Sequence, residues 1–295
     1  MNTNFSSSHL LEVIHVKEAL GRNHNVQKNL KIYNQKDLSS MFEINHKVSN
    51  RYRYQNITLE SEVMIPVTTI DAHSKLSNDQ VDFIVLDTQG SELDILMGAN
   101  ATLKTVLGIR VEINFIDWYP NSLLFFEVCQ FLYSKGFYLI RLERPGSPTV
   151  GPATDAGAFS LNWDDAAPFS SDAIFIKDGM LDYVKSNNPR VNSEVFAKFI
   201  FFLHFYNAHS IALDYINKAI EQDVFTALLD DMSPEVAKHV LKLSLIQLKK
   251  LSLSIEWQRN STILSLYKID RSNLASYIED YSKKRKEMEL IYDQF

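Results

Sequence analysis

Polar positions dominate the first 60 residues, and the apolar patches among them are short. Leu10–Val16 (Leu-Leu-Glu-Val-Ile-His-Val) reads as a strand closed by Ala19-Leu20-Gly21, and Asn29–Asn34 alternates at period two as a second strand. Residues 35–60 read as a loose loop. Glu62–Ile70 is β-rich, with Pro66 pushing it to a sheet edge because proline cannot donate to a ladder.

The pattern sharpens after residue 80. Val81–Asp87 is an almost unbroken β-branched and aromatic run, as expected of a strand buried on both faces. Thr88-Gln89-Gly90 makes a turn, Ser91 with Asp94 gives a helix-capping signature, and Leu93, Leu96, Met97 and Leu103 supply an apolar helical stripe. Gly108–Phe115 is the next strand. Leu123–Lys135 is an amphipathic helix, with Gly136 at the position after its cap. Phe137–Leu142 and Asp172–Lys177 are further strands, separated by a proline- and glycine-rich loop over 143–170. Strands alternating with helices predict a parallel sheet of right-handed βαβ units. The last two strands lack a helix between them, which predicts an antiparallel addition at the sheet edge.

Beyond Gly179 there is no further glycine, and Val195–Phe205, Ser210–Glu221, Glu235–Leu253 and Ser272–Tyr292 read as helices. Charge divides at the same place: residues 1–179 hold 15 Lys and Arg against 21 Asp and Glu, while residues 180–295 hold 15 against 15. We therefore expect a sheet domain over 1–179 and an all-helical region over 180–295, the latter free to pack on the sheet domain or on a protein partner. A net charge of −6 argues against general nucleic-acid binding. The most apolar run, Phe199–Phe205, is too short to span a bilayer, and the first residues lack the features of a secretory signal. Cys129 is the one cysteine, so neither a disulfide framework nor a Cys-rich zinc site is expected. The histidines show no metal-ligand spacing. A cytoplasmic protein that does not bind membranes is the expectation.

Ligands of open α/β sheets bind beyond the carboxyl ends of the strands. Asp87 stands at such an end, before a helix, where a carboxylate either caps the turn or serves a ligand. Gly90 permits close backbone approach or a positive φ, and Glu92 lies in the first helical turn, where acids are favoured anyway. Glu112 sits within an otherwise apolar strand; such a carboxylate is either paired, here with Arg110 or Arg141, or functional. Asp117, Trp118 and Tyr119 follow that strand and either line a substrate mouth or pack. His73 could be a base, but a lone loop histidine is more often polar surface.

Val81 to Ala99 (Val-Asp-Phe-Ile-Val-Leu-Asp-Thr-Gln-Gly-Ser-Glu-Leu-Asp-Ile-Leu-Met-Gly-Ala) resembles the signature block of the FkbM-type methyltransferases. Ala19-Leu20-Gly21, Val67–Asp71, Val111–Phe115, Gly136-Phe137 and Asp172–Phe175 agree in order, so the resemblance covers residues 13–177. It implies a Rossmann-like class I methyltransferase sheet ending in an antiparallel strand. It further implies S-adenosylmethionine as cofactor and O-methylation of a sugar or secondary-metabolite hydroxyl. Asp87 would sit where cofactor and acceptor meet, as catalytic residue. Ala19, Leu20, Asp87, Gln89 and Gly90 would hold the cofactor, and Glu112, Asp117 and Trp118 the acceptor. No metal is implied.

One element of the family pattern is absent. The family opens with a strand and a glycine-rich Asp-x-Gly turn, followed by a strand ending in an acid, whereas the first glycine here is Gly21. The expected α/β fold is therefore a partial Rossmann-like sheet with its first strands missing. Three readings remain open: a fragment or mis-called start of an active enzyme, a degenerate non-catalytic binding or scaffold protein, and a sheet completed by a separate chain.

Overall fold

The computed structural model describes residues 15–51, 56–73, 81–143, 169–182 and 189–222, with a few single positions beyond. Seven strands and five helices are described: β1 (Ala19–Leu20), β2 (Val26–Tyr33), α1 (His46–Arg51), β3 (Leu59–Thr68), β4 (Phe83–Leu86), α2 (Glu92–Met97), β5 (Gly108–Asn114), α3 (Phe125–Ser134), β6 (Phe137–Leu142), β7 (Ser170–Lys177), α4 (Pro189–Phe205) and α5 (His209–Glu221). Short 3-10 turns occur at Lys36–Leu38 and Thr102–Lys104. The strands form a three-stranded sheet in the order β1-β3-β2 and a four-stranded sheet in the order β4-β5-β7-β6. The architecture is mixed α/β, as expected of a partial Rossmann-like methyltransferase fold.

Several elements form where local pattern places them. β2 contains the alternating Asn29–Tyr33 segment, and α3 ends at Ser134, capped by Lys135, with Gly136 at φ +78°, a value a side chain would oppose. The amide of Leu124 donates to Glu127 Oε2 at 3.0 Å, closing the first turn of α3. β6 and β7 pair antiparallel, Phe137 opposite Lys177, as the missing crossover helix requires. β7 lies between β5 and β6, so β6 rather than β7 ends the row.

Other expectations are corrected. β3 is the central strand of its sheet despite Pro66. The short β1 meets β3 only at Val67 and Thr68, so Pro66 has a partner strand on the β2 side alone, where Gln27 faces it. A central strand that is locally an edge tolerates proline. The stretch read as a loose loop contains α1, a 3-10 turn and the start of β3. β4 is not buried on both faces: it stands at the end of its row, and Val85 is 57% exposed. The strand expected at Leu10–Val16, the long loop, and the helices expected at Glu235–Leu253 and Ser272–Tyr292 fall outside the described residues or are represented by single positions.

The chain forms two compact units, one comprising Met1–Val106, Arg110–Lys135 and Glu143–Asp172, the other Leu107–Ile109, Gly136–Leu142 and Ala173–Phe295. In the first, Trp118 and Tyr119 pack with Tyr33, Ile44 and Ile57, all buried. In the second, α4 packs against α5, with the rings of Phe199 and Tyr215 edge to face at 4.9 Å. The ring of Phe202 lies 2.4 Å from where a Cβ on Gly108 would stand, so the helix approaches the strand through the missing side chain.

Candidate active site

β4 delivers Asp87 to the carboxyl end of the row, and the chain then reverses through Thr88, Gln89 and Gly90. Gln89 and Gly90 both have positive φ, at 54° and 100°. Gly90 adopts this freely, whereas Gln89 costs about 1 kcal/mol and must be held. The hold is visible. Ser40 Oγ donates to the Gln89 carbonyl at 2.5 Å, and Glu92 accepts the amides of Thr88 at 2.7 Å and Gly90 at 3.0 Å. Thr88 Oγ1 donates to the same carboxylate at 3.0 Å. Glu92 thus caps the turn from inside. Ser91 makes no capping hydrogen bond, which corrects the Ser91–Asp94 signature. Asp94 instead pairs with Arg22 at 2.9 Å and Lys28 at 3.2 Å. Glu92 is buried, and desolvation raises its pKa against the pull of these donors.

Asp87 and Glu112 meet through one side chain. Gln89 Nε2 donates to Asp87 Oδ1 at 2.7 Å and to Glu112 Oε2 at 2.9 Å. Neither arginine considered for Glu112 takes that role. Arg110 pairs with Asp172 at 2.6 Å, and Arg141 donates to the Tyr206 carbonyl at 3.4 Å. Burial first, then the nearby charge of Asp87, pushes the Glu112 carboxyl up to about 8. At neutral pH Glu112 therefore retains its proton beside the exposed Asp87.

A cavity of about 700 Å³ opens beside Asp87. Its walls include Ala19 and Leu20 of β1, Leu30 of β2, Ile65 of β3, Val85 and Leu86 of β4, Ile95 of α2, and the polar Asp37, Ser39, Ser40, Asp87, Thr88 and Gln89. The volume lies within the range of small-molecule sites, which pair apolar walls with a few placed polar groups. Of the residues singled out in the sequence, the structure gathers Ala19, Leu20, Asp87 and Gln89 on this one cavity, with Gly90 and Glu112 joined to it through hydrogen bonds and chain connectivity.

Asp117 and Trp118 do not line that cavity. Trp118 is buried in the aromatic cluster, its ring 5.7 Å from that of Phe169, and Asp117 is exposed with its carbonyl accepting from Asn45 Nδ2 at 2.9 Å. Packing claims Trp118, whose large ring is buried in one cluster with Tyr33, Ile44 and Ile57. His73 is buried rather than surface-exposed, with Nε2 3.8 Å from Glu18, on a second cavity of about 520 Å³. Ser40 and Ile65 went unrecognised in the sequence, because only the fold brings residues 22 or more positions away to the Asp87 turn.

Residues 6–139 match the family model of the methyltransferase FkbM domain. That segment is similar to the methyltransferase FkbM domain. No curated protein and no solved structure matches the chain. The matched segment contains Ala19, Leu20, Asp87, Gln89, Gly90, Glu92 and Glu112, so the whole hydrogen-bonded turn lies inside it. Among the described residues no three His, Cys, Asp or Glu side chains are grouped to hold a metal ion, and no helix is long and apolar enough to cross a membrane.

Proposed function

We propose that the domain transfers a methyl group from S-adenosylmethionine to a hydroxyl of a sugar or secondary metabolite, in the cytoplasm. The observation that carries this reading is the Asp87 carboxylate on the wall of a cavity of about 700 Å³ within the segment similar to the FkbM domain. The cavity is large enough for a nucleoside-sized ligand, and its mixed lining suits one that is part apolar ring and part charged chain. Ala19, Leu20, Gln89 and the Gly90 backbone would hold the cofactor, which supplies an electrophilic methyl group when bound.

Asp87 accepts a hydrogen bond from the acceptor hydroxyl and takes its proton as the oxygen becomes electron-poor. Positioning does much of the remaining work, since the displacement demands an in-line approach. Glu112, protonated at neutral pH, supports the single charge at Asp87 rather than adding a second one. Trp118 then shapes the site only indirectly, through its packing in the cluster with Tyr119.

The test is radiolabelled methyl transfer from S-adenosylmethionine to a panel of sugars and hydroxylated metabolites, with calorimetric titration of the cofactor alongside. Transfer by the wild-type chain that falls at least a hundredfold in Asp87→Asn supports the reading. Cofactor binding without transfer to any acceptor favours a binding module instead. The absence of both binding and transfer overturns the proposal.

A further inference from the structure

We propose that Gln89 is a positioning residue whose side-chain amide spans Asp87 and Glu112, and that Tyr119 fixes the direction in which this amide points. The inference rests on the methyltransferase reading and adds to it how the carboxyl pair is set.

A primary amide has two N–H donors and one acceptor oxygen, and all three are engaged here. Both contacts from Nε2 run to carboxyl oxygens, at 2.7 Å to Asp87 and 2.9 Å to Glu112. The oxygen, Oε1, accepts from the Tyr119 hydroxyl at 2.9 Å. Turning the amide over would aim Oε1 at the two carboxyl groups, remove the Nε2 donors from both, and part Oε1 from the Tyr119 hydroxyl. Tyr119 is itself immobilised: it is 1% exposed, packed with Tyr33, Ile44 and Trp118, and its hydroxyl lies 3.3 Å from the Leu38 carbonyl. At the other end of the residue, Ser40 holds the Gln89 carbonyl and the positive φ fixes the backbone. Gln89 is thus anchored at its main chain and at its amide oxygen, and only its two N–H bonds face the chemistry.

The consequence is electrostatic. Two carboxyl groups brought together repel when both are ionised, and N–H donors shared between them offset that repulsion. A fixed amide therefore sets how readily Glu112 gives up its proton, and so the charge that Asp87 presents to the cavity. Tyr119 is not itself part of the cavity wall, and its hydroxyl reaches the carboxyl pair only through Gln89.

The experiment follows the ¹³C-carboxyl titration of Glu112 by NMR, its signal assigned by loss in Glu112→Gln, together with the pH profile of methyl transfer. In Tyr119→Phe the amide is free to turn, so the Glu112 titration is expected to move upward by about one pH unit, the scale of one charge-assisted hydrogen bond. Gln89→Asn keeps a residue type at home at positive φ but shortens the reach to both carboxyl groups, and is expected to move it in the same direction. In the double variant the shifts do not add, because both act through one amide. At neutral pH, kcat falls about tenfold in Tyr119→Phe while KM for the acceptor changes less than about twofold.

A folded Tyr119→Phe protein with the wild-type Glu112 titration overturns the proposal, as do fully additive shifts in the double variant. If Tyr119→Phe does not fold, Gln89→Asn decides alone, an upward shift supporting the amide's role and an unchanged titration overturning it. A wild-type chain that transfers no methyl group refutes the methyltransferase reading, while the titration still decides whether Gln89 and Tyr119 set the pair.

Discussion

The carbonyl oxygen of Gly21 stands 2.1 Å from the point where a Cβ on Gly98 would lie, so the turn after α2 can approach the end of β1 only because residue 98 has no side chain. Gly21 in turn donates its amide to the Thr68 carbonyl at 2.8 Å, which ties Ala19 and Leu20 to the cavity wall. Gly98→Ala forces backbone against backbone, which no rotamer relieves. It is expected to cost about 2–4 kcal/mol of stability, read as a lowered urea midpoint. Because the displaced strand end lines the cavity, cofactor affinity should fall as well, and calorimetric titration of the folded variant measures that part separately.

Asp71 caps a distant turn. Its carboxylate accepts the amides of Ala101 at 2.7 Å and Thr102 at 2.9 Å, and the Thr102 hydroxyl at 2.7 Å. Burial alone pushes its pKa up, but these three donors outweigh burial and hold it below the usual value. A carboxyl lowered in the folded state stabilises the protein above its unfolded pKa, and that contribution is lost as the pH falls through the folded one. Asp71→Asn should therefore lose about 1–2 kcal/mol at pH 7, and the difference should shrink progressively as the pH falls below about 3.8. Thermal melts of both proteins across that range show whether the gap closes in acid.

Much of this was readable from the chain, and the division between what was and was not is physical. α3 and its stop at Gly136 depend on a period and on one left-handed residue, both local properties. Asp87 and Glu112 stood out because a carboxylate at a strand end or within an apolar strand demands a reason. The reason for Glu112, however, lies 23 residues away in Gln89, and that for Asp94 lies 72 residues away in Arg22. Pairing over such distances leaves no trace in spacing. Trp118 shows the same limit: an aromatic residue after a strand suits a mouth or a core equally, and only the presence of Tyr33 and Ile57 around it decides for the core.

Glu92 offers a test of the turn itself. Its buried carboxylate receives three donors from Thr88 and Gly90, two of them main-chain amides. Glu92→Ala leaves buried donors without an acceptor and is expected to cost about 2–3 kcal/mol. Glu92→Gln preserves one acceptor oxygen and should cost less than half as much. Since the turn places Asp87 and Gln89, the two variants should also rank in the same order for methyl transfer. A Glu92→Ala protein as stable as wild type would show that the turn holds without this carboxylate.

The proton on Glu112 links the site to the stability of the fold. Burial and the charge of Asp87 raise its carboxyl to about 8 in the folded chain, whereas in the unfolded chain it titrates near 4.5. Between those values the folded protein binds more protons than the unfolded one, so its stability falls as the pH rises through the window and levels off above about 8. The loss is on the order of 3 kcal/mol, since each unit of displacement corresponds to about 1.4 kcal/mol and partial exposure reduces the total. Glu112→Gln has no proton to lose and keeps an oxygen to accept from Gln89. The variant and the wild type should therefore have similar urea midpoints at pH 5, and the variant should be the more stable by an increasing margin at pH 7 and pH 9. Parallel curves across that range would mean that Glu112 titrates in the folded chain as it does in the unfolded one, and that the carboxyl pair does not hold a shared proton at neutral pH.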